Sequence, residues 1–165
     1  MRIRAVVTLA LAAVAVAILM AMPAFAAKGA KEHPYKASGT QTGTFTYKEG
    51  PPEVFKFDVV GPFIGSALGK GTVRTYTDAS GKNERSIYTF ANGDKLYATG
   101  LQDELSTKGV ACPFPWQAFS ETVIYKGGTG QFKNATGKAI ARGCFHFLDN
   151  KTWIVTFSEK GTLTY

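Results

Sequence analysis

Cysteine, histidine and tryptophan are scarce in this chain, with two of each. His33, His146, Cys112 and Cys144 are a thin supply of metal ligands, and their spacing fits no zinc pattern. A G-x-S-x-G elbow is missing. The stretch Gly65-Ser66-Ala67-Leu68-Gly69-Lys70-Gly71 is one residue too short between its glycines for a phosphate loop, no Ser or Thr stands directly after Lys70, and no helix is expected to follow. Gly128-Thr129-Gly130 lacks the third glycine of a dinucleotide fingerprint, because Lys133 stands in its place. From Ser38 onward no segment has helical periodicity of normal length, and no apolar run after residue 26 could cross a bilayer. These gaps exclude zinc fingers, nucleotide-binding loops, α/β-hydrolases and helical bundles, and no motif calls for a cofactor. Acidic residues are outnumbered, 12 against 19 basic ones, for a net charge of +7. The lysines are scattered rather than clustered, so they read as a solvated surface and no nucleic-acid partner is expected.

The sequence opens with Arg2 and Arg4, then an alanine-rich apolar run from Ala5 to Met22, then Pro23 and Ala24-Phe25-Ala26. That order is a basic start, an apolar middle and a small-x-small cleavage site, so residues 1–26 are expected to be a cleaved signal peptide. An uncleaved anchor helix is the alternative, since the run is near the lower limit for a span. Only Lys28 and Lys31 lie directly behind it, and no cysteine follows for lipid attachment. The expectation is therefore a secreted or periplasmic protein with no membrane anchor after cleavage. In an exported protein an even cysteine count suggests one Cys112–Cys144 bridge. It would close a loop of roughly 30 residues and stabilise the fold by about 3 to 4 kcal/mol. Two free thiols or a metal pair are the alternatives. Asn134-Ala135-Thr136 and Asn150-Lys151-Thr152 fit the glycosylation pattern, which matters only in a eukaryotic pathway, whereas the alanine-rich leader looks bacterial.

Residues 27–37 are polar and aperiodic and read as a mobile leader; 38–165 read as one domain. Short alternating segments rich in Thr, Tyr, Phe, Val and Ile are separated by Gly, Pro, Asn and Asp. Strands are expected at 40–47, 54–60, 72–77, 84–90, from 95, at 118–125, 135–147 and 152–157, with a last extended segment at 161–165. A glycine-rich loop is expected over 61–71 and a tight turn at Asn92-Gly93-Asp94. The Cys112-Pro113-Phe114-Pro115-Trp116 stretch must be irregular, because proline cannot donate to a ladder. The fold class is all-β, about eight antiparallel strands in a barrel or a sandwich, and pattern alone does not choose between them.

Gly127-Gly128-Thr129-Gly130-Gln131-Phe132-Lys133-Asn134-Ala135-Thr136-Gly137 pairs a flexible turn with an aromatic able to plug a core. This stretch resembles the G-G-[ST]-G-x-F-x-x-A-x-G segment of the allene oxide cyclase and dirigent-like barrel superfamily. Tyr88-Thr89-Phe90-Ala91-Asn92-Gly93-Asp94-Lys95-Leu96 resembles the hairpin those proteins place before it. The resemblance runs from about Thr72 to Gly143 and implies a closed antiparallel barrel of about eight strands, with a lumen for an apolar small molecule. It carries over no catalytic residue. The plant cyclases have a glutamate on an early strand, whereas Thr40–Tyr47 has no acid, and Glu49 and Glu53 fall beyond it.

Several polar residues share faces with apolar ones. Glu121 alternates with Phe119, Val123 and Tyr125; Arg142 alternates with Ile140, Cys144 and His146; Arg74 shares a face with Tyr76. Glu121 and Arg142 lie on strands that should form a hairpin, so they are expected to face each other or lie diagonally. The candidate ligand-binding set is Glu121, Arg142, Tyr125, Arg74 and Tyr76, as a polar spot in a lumen or as an ordinary surface salt bridge. Ala139, Ala141 and Gly143 share the other face of their strand and leave room for a ligand or for bulky neighbours such as Trp153. Three functions follow: a secreted barrel binding a small apolar or aromatic molecule; a cyclase or isomerase, which rests on fold resemblance alone; or a protein–protein module, an inhibitor or envelope component, acting through the 102–117 segment.

Overall fold

The computed structural model describes residues 31–48, 54–66, 68–81, 83–107 and 109–165, with only the backbone described over 101–106. The expected signal peptide, the first residues of the leader, and Glu49 and Glu53 lie outside the described residues. Residues 31–165 form one compact unit. Eight strands pair antiparallel in chain order and close on themselves: β1 (Glu32–Lys48), β2 (Val54–Gly65), β3 (Gly69–Thr77), β4 (Glu84–Phe90), β5 (Lys95–Ser106), β6 (Gln117–Gly128), β7 (Thr136–Phe147) and β8 (Thr152–Thr164). The closing seam joins β1 to β8 from Glu32 opposite Thr164 to Thr44 opposite Thr152. Closure leaves no unpaired strand edge to template aggregation. The fold is thus the barrel, not the sandwich. Among the described residues the only helix is one 3-10 turn, Gly130–Phe132.

The strands run longer than their alternation suggests. β1 begins at Glu32, so residues 32–37 of the expected leader are in the sheet, with Tyr35 and Ala37 buried. Pro34 hides this, since proline discourages a strand reading although the residues around it still pair. The glycine-rich stretch 61–71 is mostly β2 and β3 rather than loop. β8 merges the expected eighth strand with the last extended segment and so takes in Glu159.

Alternate residues point inward, and the barrel interior has two halves. In one half Tyr35, Phe63, Tyr88, Phe90, Leu96 and Tyr125 pack into a continuous core. The loop after β6 seals that end. Gly130 adopts φ +54°, and a Cβ there would strike the Asp94 carboxylate. The Gln131 N–H donates to Asp94 Oδ2 at 3.3 Å, and the Lys95 N–H donates to Thr129 Oγ1 at 2.9 Å. These bonds tie the Asn92–Asp94 turn to the loop and drive Phe132 into the barrel, where it is fully buried against Phe90 and Tyr165.

The opposite end is open. Cys112 and Cys144 are disulfide-bonded, with 5.9 Å between their Cα atoms. The bridge straps the 107–116 segment onto the outer face of β7, where Trp116 lies 5.7 Å from His146, ring to ring. Phe114 projects from the same segment, 98% exposed.

Candidate functional site

The open half of the barrel encloses a cavity of about 800 Å³. Its wall is aromatic. Trp153 is the hub, with ring centroids 5.6 Å from Phe55, 5.3 Å from Phe57, 5.5 Å from Phe145 and 6.1 Å from Phe147. These rings come from β2, β7 and β8, each at an inward position near the end of its strand. Trp153 is nine-tenths buried, yet its indole N–H has no hydrogen-bond partner.

A polar band separates this cavity from the filled half. Gln41 Nε2 donates to Thr75 Oγ1 at 3.0 Å and to the Val73 carbonyl at 3.3 Å, and Thr75 Oγ1 shares a 3.0 Å hydrogen bond with Ser86 Oγ. Gln41 reaches across β2 because Gly61, opposite Val73, has no side chain to block it. Three carboxyls complete the band. Glu159 accepts hydrogen bonds from the Tyr88 hydroxyl and, at 2.7 Å, from the Tyr125 hydroxyl. That joins β4, β6 and β8 across the interior. Glu121 hydrogen-bonds to Glu84. The two meet over Gly100, where a Cβ would lie 2.8 Å from the Glu84 carboxyl carbon and 3.2 Å from Glu121 Oε2. In the sheet Glu121 is opposite Ala141, and Ala141 is opposite Glu159, so a small residue separates the two acids.

Burial, the charge of Glu84, the shared hydrogen bond and the more distant Glu159 together push the Glu121 carboxyl well above its usual 4.5. Burial also raises Glu159, although its two tyrosine donors pull it partly back. Burial and the nearby Glu159 raise all three tyrosines, Tyr35, Tyr88 and Tyr125, which therefore remain protonated donors.

A pH prediction follows. Both carboxyls bind protons more readily in the barrel than in the unfolded chain. Their contribution to stability is complete below about pH 4.5 and is lost as pH rises through the folded values. Asp58 and Asp149 are lowered and act oppositely at more acidic pH. Urea midpoints from pH 4.5 to 8 should therefore fall more steeply for the native protein than for Glu121→Gln. Parallel curves would mean that Glu121 ionises freely in the barrel.

No family model, no curated protein and no solved structure matches this chain.

Of the five candidate residues, Glu121 and Tyr125 point into the lumen, both at or below the band. Arg142, Arg74 and Tyr76 lie on the outer face. Glu121 and Arg142 do not meet: Ser120, not Glu121, is opposite Arg142, and a shift of one residue turns a side chain to the other side of a sheet. Arg74 instead pairs with Asp58 on the surface through Nε–Oδ1 at 2.9 Å and Nη2–Oδ2 at 2.5 Å, with its guanidinium 5.2 Å from the Tyr76 ring centre. Sequence reasoning missed Glu84, Glu159 and Gln41. Their signal was the alternation itself: Glu84 shares a face with Ser86, Tyr88 and Phe90, and Glu159 continues the face of Trp153, Val155 and Phe157.

Proposed function

We propose that this is an exported barrel that holds one small apolar or aromatic molecule in the open half of its lumen. The observation that carries the reading is the 800 Å³ cavity, walled by aromatic rings and backed by a polar band. An eight-stranded barrel is wide enough either to fill with side chains or to hold one small ligand, and this one does each in a different half. Apolar walls with a few convergent polar groups are the usual composition of a ligand site. Export is supported by the order of residues 1–26 and by the disulfide, which belongs to an oxidising compartment. The closed eight-stranded architecture supports the resemblance to the allene oxide cyclase and dirigent-like barrels.

A second reading, a cyclase or isomerase, is favoured by one observation. Burial and the neighbouring Glu84 raise the Glu121 carboxyl well above its usual range at the floor of an apolar cavity, which suits it to general acid catalysis. The interaction module draws on the exposed Phe114, but Trp116 is tucked against His146 and the lumen is not filled.

The test is binding of the neutral fluorophore N-phenylnaphthylamine, followed through tryptophan emission, with mass spectrometry of compounds that co-purify with the exported protein. Saturable binding that quenches Trp153 is expected. Unchanged emission at saturating probe, with nothing co-purifying, would remove the lumen as a binding site.

A further inference from the structure

The neutral part of the polar band holds hydrogen-bonding capacity that the barrel does not use. Gln41 and Ser86 are more than nine-tenths buried, Thr75 is partly buried, and all three line the cavity. Gln41 Nε2 donates to the Val73 carbonyl at 3.3 Å and to Thr75 Oγ1 at 3.0 Å. A backbone carbonyl can only accept, so the first of these bonds fixes which end of the amide is nitrogen. The other end, Gln41 Oε1, takes no hydrogen bond from the described residues.

The hydroxyls leave a donor as well. Thr75 Oγ1 and Ser86 Oγ lie 3.0 Å apart, and either can donate to the other. Two hydroxyls carry two protons, and the bond between them uses one. Gln41 cannot take the second, because its nitrogen already donates to Thr75. The spare proton sits on Ser86 if Thr75 donates and on Thr75 if Ser86 donates. The band thus presents one unused acceptor and one unused donor, on separate atoms of neighbouring residues. Buried groups of this kind are costly when left unmet. A site that is built to hydrogen-bond a ligand group discriminates strongly against analogues lacking it. Beyond the band, the rings around Trp153 offer an apolar wall suited to a flat aromatic body.

We propose that the lumen takes an uncharged aromatic carboxamide or lactam, whose N–H donates to Gln41 Oε1 and whose C=O accepts from the Thr75–Ser86 hydroxyl pair. Its aromatic body lies along the Trp153 wall. This deepens the lumen-binding function above and depends on it. An amide carries its donor and its acceptor side by side on different atoms, as the band does. A ketone or an ether only accepts. An alcohol would have to reach both groups from one oxygen. The selectivity is therefore for a neutral head with two hydrogen-bonding atoms, set by residues on β1, β3 and β4.

Three probes with one phenylpropyl body separate the possibilities: 4-phenylbutanamide, 5-phenylpentan-2-one, in which a methyl group replaces the amide nitrogen, and 4-phenylbutanol. Each is titrated calorimetrically into the purified protein near neutral pH. The amide should bind about tenfold tighter than the ketone of the same shape. Gln41→Leu should bring the amide down to the affinity of the ketone and leave the ketone unchanged. The joint variant Thr75→Val with Ser86→Ala should weaken amide and ketone alike and keep the preference between them. It gives an independent readout if Gln41→Leu folds poorly, and a ketone indifferent to it counts against the hydroxyl contact and the proposal. A ketone that binds as tightly as the amide, or a preference that survives Gln41→Leu, overturns the amide and leaves the lumen as an apolar site. An alcohol that binds tightest of the three overturns it as well. If none of the three binds, the lumen reading fails and the amide fails with it.

Discussion

Truncating Phe132 to alanine should destabilise the barrel by about 3 to 5 kcal/mol, the range for removing a fully buried aromatic ring. Phe132 has no exposed surface. Its ring centroid lies 4.8 Å from Phe90 and 5.4 Å from Tyr165, so the residue fills the sealed end of the barrel from a single short turn. Little can collapse into the gap, because the backbone around it is fixed by the bonds between the 129–131 loop and the 94–95 hairpin. Phe132→Leu keeps most of the volume and should cost much less. Urea unfolding at constant slope gives the difference directly. A loss below about 1 kcal/mol for the alanine variant would show that the sealed end repacks freely. Binding in the open half should survive at temperatures where the variant is folded, since Phe132 is absent from the cavity lining.

Replacing both Cys112 and Cys144 by serine should cost about 3 to 4 kcal/mol, the loop-closure entropy for a chain of this length. The bridge spans 32 residues and anchors the 107–116 segment, whose neighbours Thr107, Gln117 and Ala118 line the mouth of the cavity. Two consequences should appear together. The urea midpoint should fall, and limited proteolysis of the native state should cut first within 107–116, where the oxidised protein resists. Peptide mapping without reductant should recover Cys112 and Cys144 as one linked peptide. A serine variant as stable and as protease-resistant as the native protein would mean that the Trp116–His146 contact holds the segment by itself.

The architecture was legible because period-two alternation and turn residues are local signals. Asn92–Asp94, the aromatic after the G-G-T-G turn and the cysteine pair all do in the fold what their chemistry suggests. Strand ends were less legible. Glycines and Pro34 look like breakers in one dimension, whereas in a tightly coiled barrel the same glycines permit neighbouring backbones to approach. The site suffered most from this. Glu159 was lost because β8 runs past Phe157, and Arg142 was misplaced by one step of register. The Glu84–Glu121 meeting depends on Gly100, a residue with no side chain to announce it. A contact between non-adjacent strands across a lumen depends on how the barrel shears, which no local window records.

The band from Gln41 to Glu159 also bears on how such a protein can change. It works as a bulkhead: the compartment behind it carries the packing that defines the fold, and the compartment before it has spare volume. Substitutions at Phe55, Phe57 or Phe145 can reshape the chamber without touching the Phe132 seal or the Tyr88 and Tyr125 bonds to Glu159. Selection, or an engineer, can therefore retune what the front chamber accepts while the rear one continues to specify the structure.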